Sequence, residues 1–270
     1  MAKVLKEDLK FLKKSGKKLF IQFGDASFSM QYNFAPKYLQ KEPIYNGGAN
    51  KQYKFRNNNE ADYYEAGWVT RRWDPEVQKR LHKLYAALGK EFDGVVEGIN
   101  TEETSVIFGS GKLHPPGFSF QRYREAITEN LAALKKAFPK STVIVYANFM
   151  PGGYLPSEDT TLLKAVYEFA WANNIGVGGP DLFPYKPGQM NNSYGFIKDS
   201  YKKVPSSLAV QDGNYNYINP KTNKLIKAEE IYQFAENELH LTYIFWGTEN
   251  PYFQSETLPF LKIKRAKISK

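Results

Sequence analysis

The residues with chemistry in them crowd into one short stretch, FDGVVEGINTEETSV, Phe92 to Val106. An apolar pair, Val95 and Val96, runs straight into Glu97, Asn100, Glu102 and Glu103. The same habit recurs along the chain. Apolar runs finish at Asp25, at Asn148, at Asp181, at Gln211, Asp212 and Asn214, and at Trp246 and Glu249. Aromatic residues stand beside them: Phe23, Tyr146, Phe149, Tyr154, Tyr215, Trp246 and Tyr252. Gathered on one rim, such groups have a definite competence. Carboxylates and carboxamides hydrogen-bond hydroxyl groups, and aromatic faces stack on the apolar faces of sugar rings. Two carboxylates together can cleave a glycosidic bond, one protonating the leaving oxygen and the other attacking or activating water. The plainer account is that Asp and Asn favour loop starts and helix caps. It serves for any one position and less well for six strand ends in succession.

Other chemistries find less support. No G-x-S-x-G elbow is present, and His114 sits in KLHPPGF, a loop. No phosphate loop follows the first apolar run, and GVGGP near Gly176 reads as a strand-end turn. The absence of cysteine excludes disulfides, thiolate metal sites and cysteine nucleophiles. His82, His114 and His240 are far apart, with no ligand spacing. Carboxylates alone (Asp25, Glu103, Asp181, Asp212) could hold a hard cation, but no spacing singles them out. Neither a metal nor a cofactor is expected.

The formal charge is +9. Its lysines lie in two terminal runs and on helix faces such as Lys79, Arg80, Lys83, Lys135 and Lys136. That is a pattern of solvated faces and not a nucleic-acid patch. No apolar run reaches the roughly 18 residues of a membrane span. The N-terminal MAKVLKEDLKFLKKSGKK has helical spacing and is not a signal peptide. The expected partner is a carbohydrate, with neither nucleic acid nor membrane. A soluble protein is expected, cytoplasmic or secreted with its signal absent from this chain.

The elements that must position these groups alternate in type. Residues 3–15 form an amphipathic helix with Val4, Leu5, Leu9, Phe11 and Leu12 inward. KKLFIQFGD is a buried strand. Ala26 to Arg72 is a long polar region, and a loop of that length inside a domain is usually functional. A helix then opens at Asp74 as N-cap with Pro75 at its first position. Strand GVVEGI is followed by a helix capped at Ser119, strand TVIVYANF by helix SEDTTLLKAVYEFAWANN, and strand IGVGGPDLF by the weak segment SYGFIKDSYKKV. Strand SLAVQDGNY is followed by helix KAEEIYQFAENEL, and strand LTYIFWGTE closes the series before a short TLPFLKI. Alternation of this kind implies a parallel sheet. Joins into the strands are short, and joins out of them are long and polar. That asymmetry points to a TIM-like (β/α) barrel, α/β in class, over a doubly wound sheet. One domain spanning 1–270 is expected. Glu97 either points inward as support or marks a half-buried strand.

The order of helix, LFIQF-D, long loop, WDPEVQKRLHKLYAALGKEFDG and VVEGINTEET resembles (β/α)8-barrel glycoside hydrolases of the large clan that holds families 5 and 42. The resemblance implies that Glu103 is the acid/base, with Glu102 its neighbouring alternative, and that Trp246 floors the sugar site. The family's second carboxylate is a glutamate ending strand seven. Here that strand carries Asp212, and Glu249 follows on the next. The resemblance therefore implies a glycosidase with Glu103 and either Asp212 or Glu249 as its catalytic pair. Substrate would be held by Asp25, Asn100, Glu102, Asn148, Asp181, Gln211, Asn214, Trp246 and Tyr252. A non-catalytic carbohydrate-binding protein on a degenerate barrel is the alternative. If LFIQF is the family's strand three, the first two strands are missing, and exposed edges invite cover by a second copy.

Overall fold

The computed structural model describes residues 2–57, 59–109, 111–152 and 161–268, excluding the side chains of Glu60, Asp212 and residues 265–268. Six strands make one parallel sheet in the order of the chain: β1 (Phe20–Phe23), β2 (Gly98–Thr101), β3 (Thr142–Tyr146), β4 (Gly176–Gly179), β5 (Ser206–Val210) and β6 (Tyr243–Trp246). The sheet curls through 231°, an open and incomplete TIM-like barrel.

The helices on its outer face form where the sequence places caps and apolar stripes. Asp74 accepts from the backbone N–H of Glu76 and Val77 and opens α2 (Pro75–Phe92). Val77, Leu81, Tyr85 and Leu88 form that helix's buried stripe. Ser119 caps α3 (Phe120–Ala137) through the N–H of Arg122. Then come α4 (Thr161–Ala172), α5 (Ser193–Asp199), α6 (Ala228–Asn237) and α7 (Leu258–Ile268). The start of the SEDTTLL segment and Tyr154 lie outside the described residues. The first helix, α1 (Ala2–Lys14), has no buried residue. Leu5 and Leu9 pack against the core at half burial, while Val4 and Phe11 stay exposed, so its inward stripe is narrower than the sequence suggests. No described helix is long and apolar enough to cross a membrane.

Side chains alternate across each strand. Ile21, Ile99, Val143, Val145, Val177, Leu208 and Val210 face outward into the core shared with the helices. The inward set follows from register: Phe20 and Gln22 beside Gly98 and Asn100, then Ile144 and Tyr146, Gly176 and Gly178, Ser207 and Ala209, Tyr243 and Phe245. Large rings therefore meet glycine, serine and alanine. At Gly98 the fit is tight, since a Cβ there would lie 2.4 Å from Phe20 Cζ and 2.5 Å from the Thr142 carbonyl oxygen.

No pairing joins β1 to β6 among the described residues. Side chains bridge the gap instead. The ring of Phe20 lies 5.5 Å from Tyr243 and 5.0 Å from Phe245, in edge-to-face contact. Below them the Tyr243 hydroxyl donates to Glu97 Oε1 at 2.9 Å, and Lys18 Nζ donates to Glu97 Oε2 at 2.6 Å. Glu97 precedes β2 and is not part of it. The ion pair and both hydrogen bonds hold its carboxyl below the usual range. It supports the closed end of the barrel.

The long region Ala26 to Arg72 is not a loop. It folds into a three-stranded antiparallel sheet, with Ala26–Ser27 and Ala49–Arg56 pairing on either side of Asn59–Thr70. Tyr, Lys and Phe alternate along these strands, but aromatic residues stay exposed on both sides of the hairpin, so no simple inside–outside pattern marks them. Tyr63 and Tyr64 are both exposed.

Candidate active site

Just past β2 the chain is pinned to its neighbours. The Thr104 N–H donates to the Tyr146 carbonyl at 2.9 Å, and its hydroxyl donates to the Phe149 carbonyl at 2.6 Å. Arg72 Nη1 donates to the Glu103 carbonyl at 2.7 Å. The Glu103 side chain is thereby aimed at the open end of the barrel, where Asn148 Nδ2 donates to its Oε2 at 2.5 Å. Burial raises the Glu103 carboxyl to about 7, the charges of Glu102 and Asp181 add to this, and the Asn148 hydrogen bond and Arg72 oppose it. Glu102 is raised too, by burial and then by Asp25. Its Oε1 accepts from the Glu103 N–H at 3.4 Å.

Both glutamates open into a cleft of about 420 Å³ at the C-terminal ends of the strands. Gln22, Phe28, Tyr146, Gln211, Phe245 and Glu249 share its walls. The structure thus brings Glu102, Glu103, Gln211 and Glu249 together. Glu249 is exposed at the mouth, its carboxylate folded back over Gly247. The Asp212 side chain lies outside what is described, though its backbone begins the short helical turn Asp212–Asn216. Asp181 is raised by burial, and its Oδ1 is 3.5 Å from Gln211 Nε2, which donates more closely to the Pro180 carbonyl at 2.9 Å. Asn100 is buried on the inward face below the glutamates, its amide donating to the Thr101 carbonyl.

Of the expected substrate ligands, Asp25, Asn214 and Tyr252 are not among the residues lining this cleft, and Trp246 borders it. Asp25 is buried in a two-point ion pair with Arg72, at 2.8 Å from Nε and 2.5 Å from Nη2. Arg72 Nη1 also donates to the Tyr123 hydroxyl, which donates to the Thr104 carbonyl. Asp25 therefore fixes the arginine that holds the Glu103 backbone, and its oxygens are taken. Asn214 is fully buried. Its Oδ1 accepts from the Gln211 N–H and its Nδ2 donates to the Leu182 carbonyl, which ties the β5 loop to the β4 loop. Tyr252 stacks on Tyr215 at 4.9 Å and donates to Asn216. Trp246 is in register with Val210 on the outward face and packs near Phe260 of α7, 6.5 Å between centroids, although it also borders the cleft. The inward aromatic of β6 at the cleft is Phe245, one residue earlier.

Sequence reasoning missed Arg72, Phe245, Phe28 and Gln22. Strict alternation along YIFW would have separated Phe245 from Trp246 once one neighbour's face was known. Arg72, in TRRWDP just before a helix, carried no signal of its own. No group of three or more described His, Asp or Glu residues is arranged to hold a metal ion.

No protein-family model matches the chain, and no curated protein sequence matches it. Among solved structures the chain is similar to glycoside hydrolases. One, described only as a glycoside hydrolase, is 9% identical with TM-score 0.44, over 90% of this chain and 69% of that one. Endo-glycoceramidase II from Rhodococcus sp., with a cellobiose-like imidazole, is 13% identical with TM-score 0.46, over 93% of this chain and 61% of that one. The catalytic domain of beta-amylase from Paenibacillus polymyxa is 11% identical with TM-score 0.44, over 89% and 86%.

Proposed function

We propose that the protein is a glycosidase that cleaves glycosidic bonds in the cleft at the open end of the barrel, with Glu103 as general acid. The observation that carries this reading is one residue's environment. Glu103 is half-buried, its carboxyl raised by desolvation to about 7, on the wall of a cleft that also holds an exposed carboxylate, Glu249. A carboxyl that keeps its proton near neutral pH can give it to a departing sugar oxygen. Arg72 fixes the backbone behind Glu103, and Asn148 fixes its carboxyl, so the proton is presented in one direction. Glu249 is the partner carboxylate that attacks the sugar or activates water, and Asp212, beside Gln211, is the other candidate for that role. Gln211 and the Phe245 ring would hold the sugar. A separation of about 5–5.5 Å between the two working carboxyls gives retention of configuration, and about 6.5–9.5 Å gives inversion.

The test is hydrolysis of a panel of aryl glycosides. Glu103→Gln abolishes turnover, and loss in Glu249→Gln or in Asp212→Asn identifies the partner. Turnover by Glu103→Gln equal to the parent's would refute the assignment. One observation favours a second reading, a carbohydrate-binding protein without catalysis: β5 is followed by a carboxamide, Gln211, at the cleft. Sugar binding by calorimetry with no turnover of any glycoside would select it.

A further inference from the structure

Just past Ala26–Ser27, the first strand of the antiparallel sheet, lies a run of exposed large side chains: Phe28, Met30, Tyr32 and Phe34 are 43%, 36%, 52% and 51% exposed. Single exposed apolar residues need no explanation, but a contiguous set does. The backbone beneath them is not loose. The Ser27 hydroxyl donates to the Ser29 carbonyl and accepts from the Ser29 N–H. Asn33 Oδ1 accepts from the Ala35 N–H, and Trp68 Nε1 donates to the Met30 carbonyl at 3.2 Å. The rings are thus held outward by a fixed scaffold. Tyr32 and Phe34 lie nearly parallel, 12° apart with centroids at 6.5 Å.

This run continues the cleft. Phe28 lines it directly. Gly24 sits between Phe34 and the catalytic wall: a Cβ there would lie 3.4 Å from Glu102 Oε2 and 3.8 Å from Phe34 Cε2. A chain of sugar rings leaving the cleft past Glu102 meets Phe34 and then Tyr32. Pre-set aromatic faces bind sugar rings at low ordering cost. The cleft's described lining holds Glu102, Glu103 and Glu249 and no lysine or arginine, so it offers a charged acidic sugar no counter-ion.

We infer that Phe28, Phe34 and Tyr32 form an aromatic track that extends the cleft, and that its ligand is a neutral polysaccharide and not a short glycoside. This rests on the glycosidase-type reading of the cleft for the nature of the ligand. The test is affinity electrophoresis in gels containing hydroxyethylcellulose, galactomannan or pullulan, with carboxymethylcellulose as the acidic comparison. The parent is retarded by at least one of the neutral polymers and less by carboxymethylcellulose. Tyr32→Ala/Phe34→Ala weakens the retardation about tenfold, the loss of two modest stacking contacts, and leaves aryl-glycoside hydrolysis and thermal melting unchanged. Should the double variant melt early, Tyr32→Ala alone gives a smaller loss in the same direction. No retardation on any neutral polymer, equal retardation of parent and variant, or stronger retardation by carboxymethylcellulose overturns the track. So does a parent that self-associates through this patch and is dissociated by the double variant without binding polymer. Retardation does not need the Glu103 proton, so a fully active Glu103→Gln would remove the catalytic reading and leave the track standing.

Discussion

Replacing Glu103 by glutamine keeps the side chain's shape and removes its ionisation. In the parent, burial first, and then the charges of Glu102 and Asp181, lift the carboxyl from 4.5 to about 7. The sign of the stability effect follows. The folded state keeps a proton that the unfolded chain releases, so nothing is lost below about pH 4.5. The cost of ionising a buried group grows as pH rises from there and is complete once the pH passes about 7. At ~1.36 kcal/mol for each tenfold change in proton affinity, the full effect is about 3 kcal/mol, less whatever water in the cleft recovers. Glutamine never ionises and escapes this cost. Its amide oxygen can still accept from Asn148 Nδ2, the donor that the carboxylate now uses.

Glu103→Gln should therefore match the parent near pH 4 and exceed it by up to about 3 kcal/mol near pH 8. At roughly 2–4 °C per kcal/mol for a chain of this size, the melting temperatures should separate by up to about 6–12 °C on the alkaline side only. Paired thermal melts across that range read the effect directly. If Glu103 is the proposed acid, the same variant should also lose turnover, the exchange expected when a functional group is held in a costly state. A melting difference constant with pH would sink the reasoning, because a packing change does not titrate. A variant less stable than the parent at alkaline pH would do so outright.

Three further outcomes follow from other contacts. Asp181 raises the Glu103 carboxyl through its charge, so Asp181→Asn should move the alkaline limb of kcat/KM for an aryl glycoside to lower pH; an unmoved limb would show that the two groups do not communicate. Arg72→Met leaves Asp25 buried without its partner, and urea unfolding should report a loss of about 3–5 kcal/mol; a loss below about 1 kcal/mol would mean the pair is solvated. Gly98→Ala forces a methyl against Phe20 and the Thr142 carbonyl and should cost about 3 kcal/mol by the same measurement, whereas Gly195→Ala, on α5 with nothing within 4 Å, should raise stability by about 0.5–1 kcal/mol.

The alternation of strand and helix was legible because each link carries a local mark. Asp74 and Ser119 are caps in sequence and in fact, and the strands are apolar runs too short for helices. The roles of rim residues were less legible, because a role depends on a partner distant along the chain. Asp25 has the look of a strand-end acid, yet what decides it is Arg72, 47 residues on. Asn214 reads in the sequence as a strand-end carboxamide, and only the fold brings the Leu182 carbonyl to it. Trp246 ends YIFW, a run with no polar residue to mark a face, so its parity could not be read. Asn148 was found for its position, but its task, holding the Glu103 carboxyl, needed the three-dimensional contact.

The two ends of β2 show how an open sheet makes a site. A closed barrel of eight strands has an interior just wide enough for side chains to fill. Here six strands leave a gap, and it is treated differently at each end. At the bottom Phe20 meets Tyr243 and Phe245, and Glu97 sits beneath them between Lys18 and the Tyr243 hydroxyl. The gap is closed there by side chains, and Glu97 is kept ionised. At the top nothing equivalent among the described residues fills the space. Gln22 faces inward yet is exposed, and the cleft opens above Phe245 and Tyr146. Glu103, at the other end of the same strand, has a carboxamide and nearby acids for neighbours in place of a lysine, and it holds its proton to about 7. The same residue type thus becomes a brace at one end of the strand and an acid at the other. What separates them is the partner each meets across the unclosed sheet.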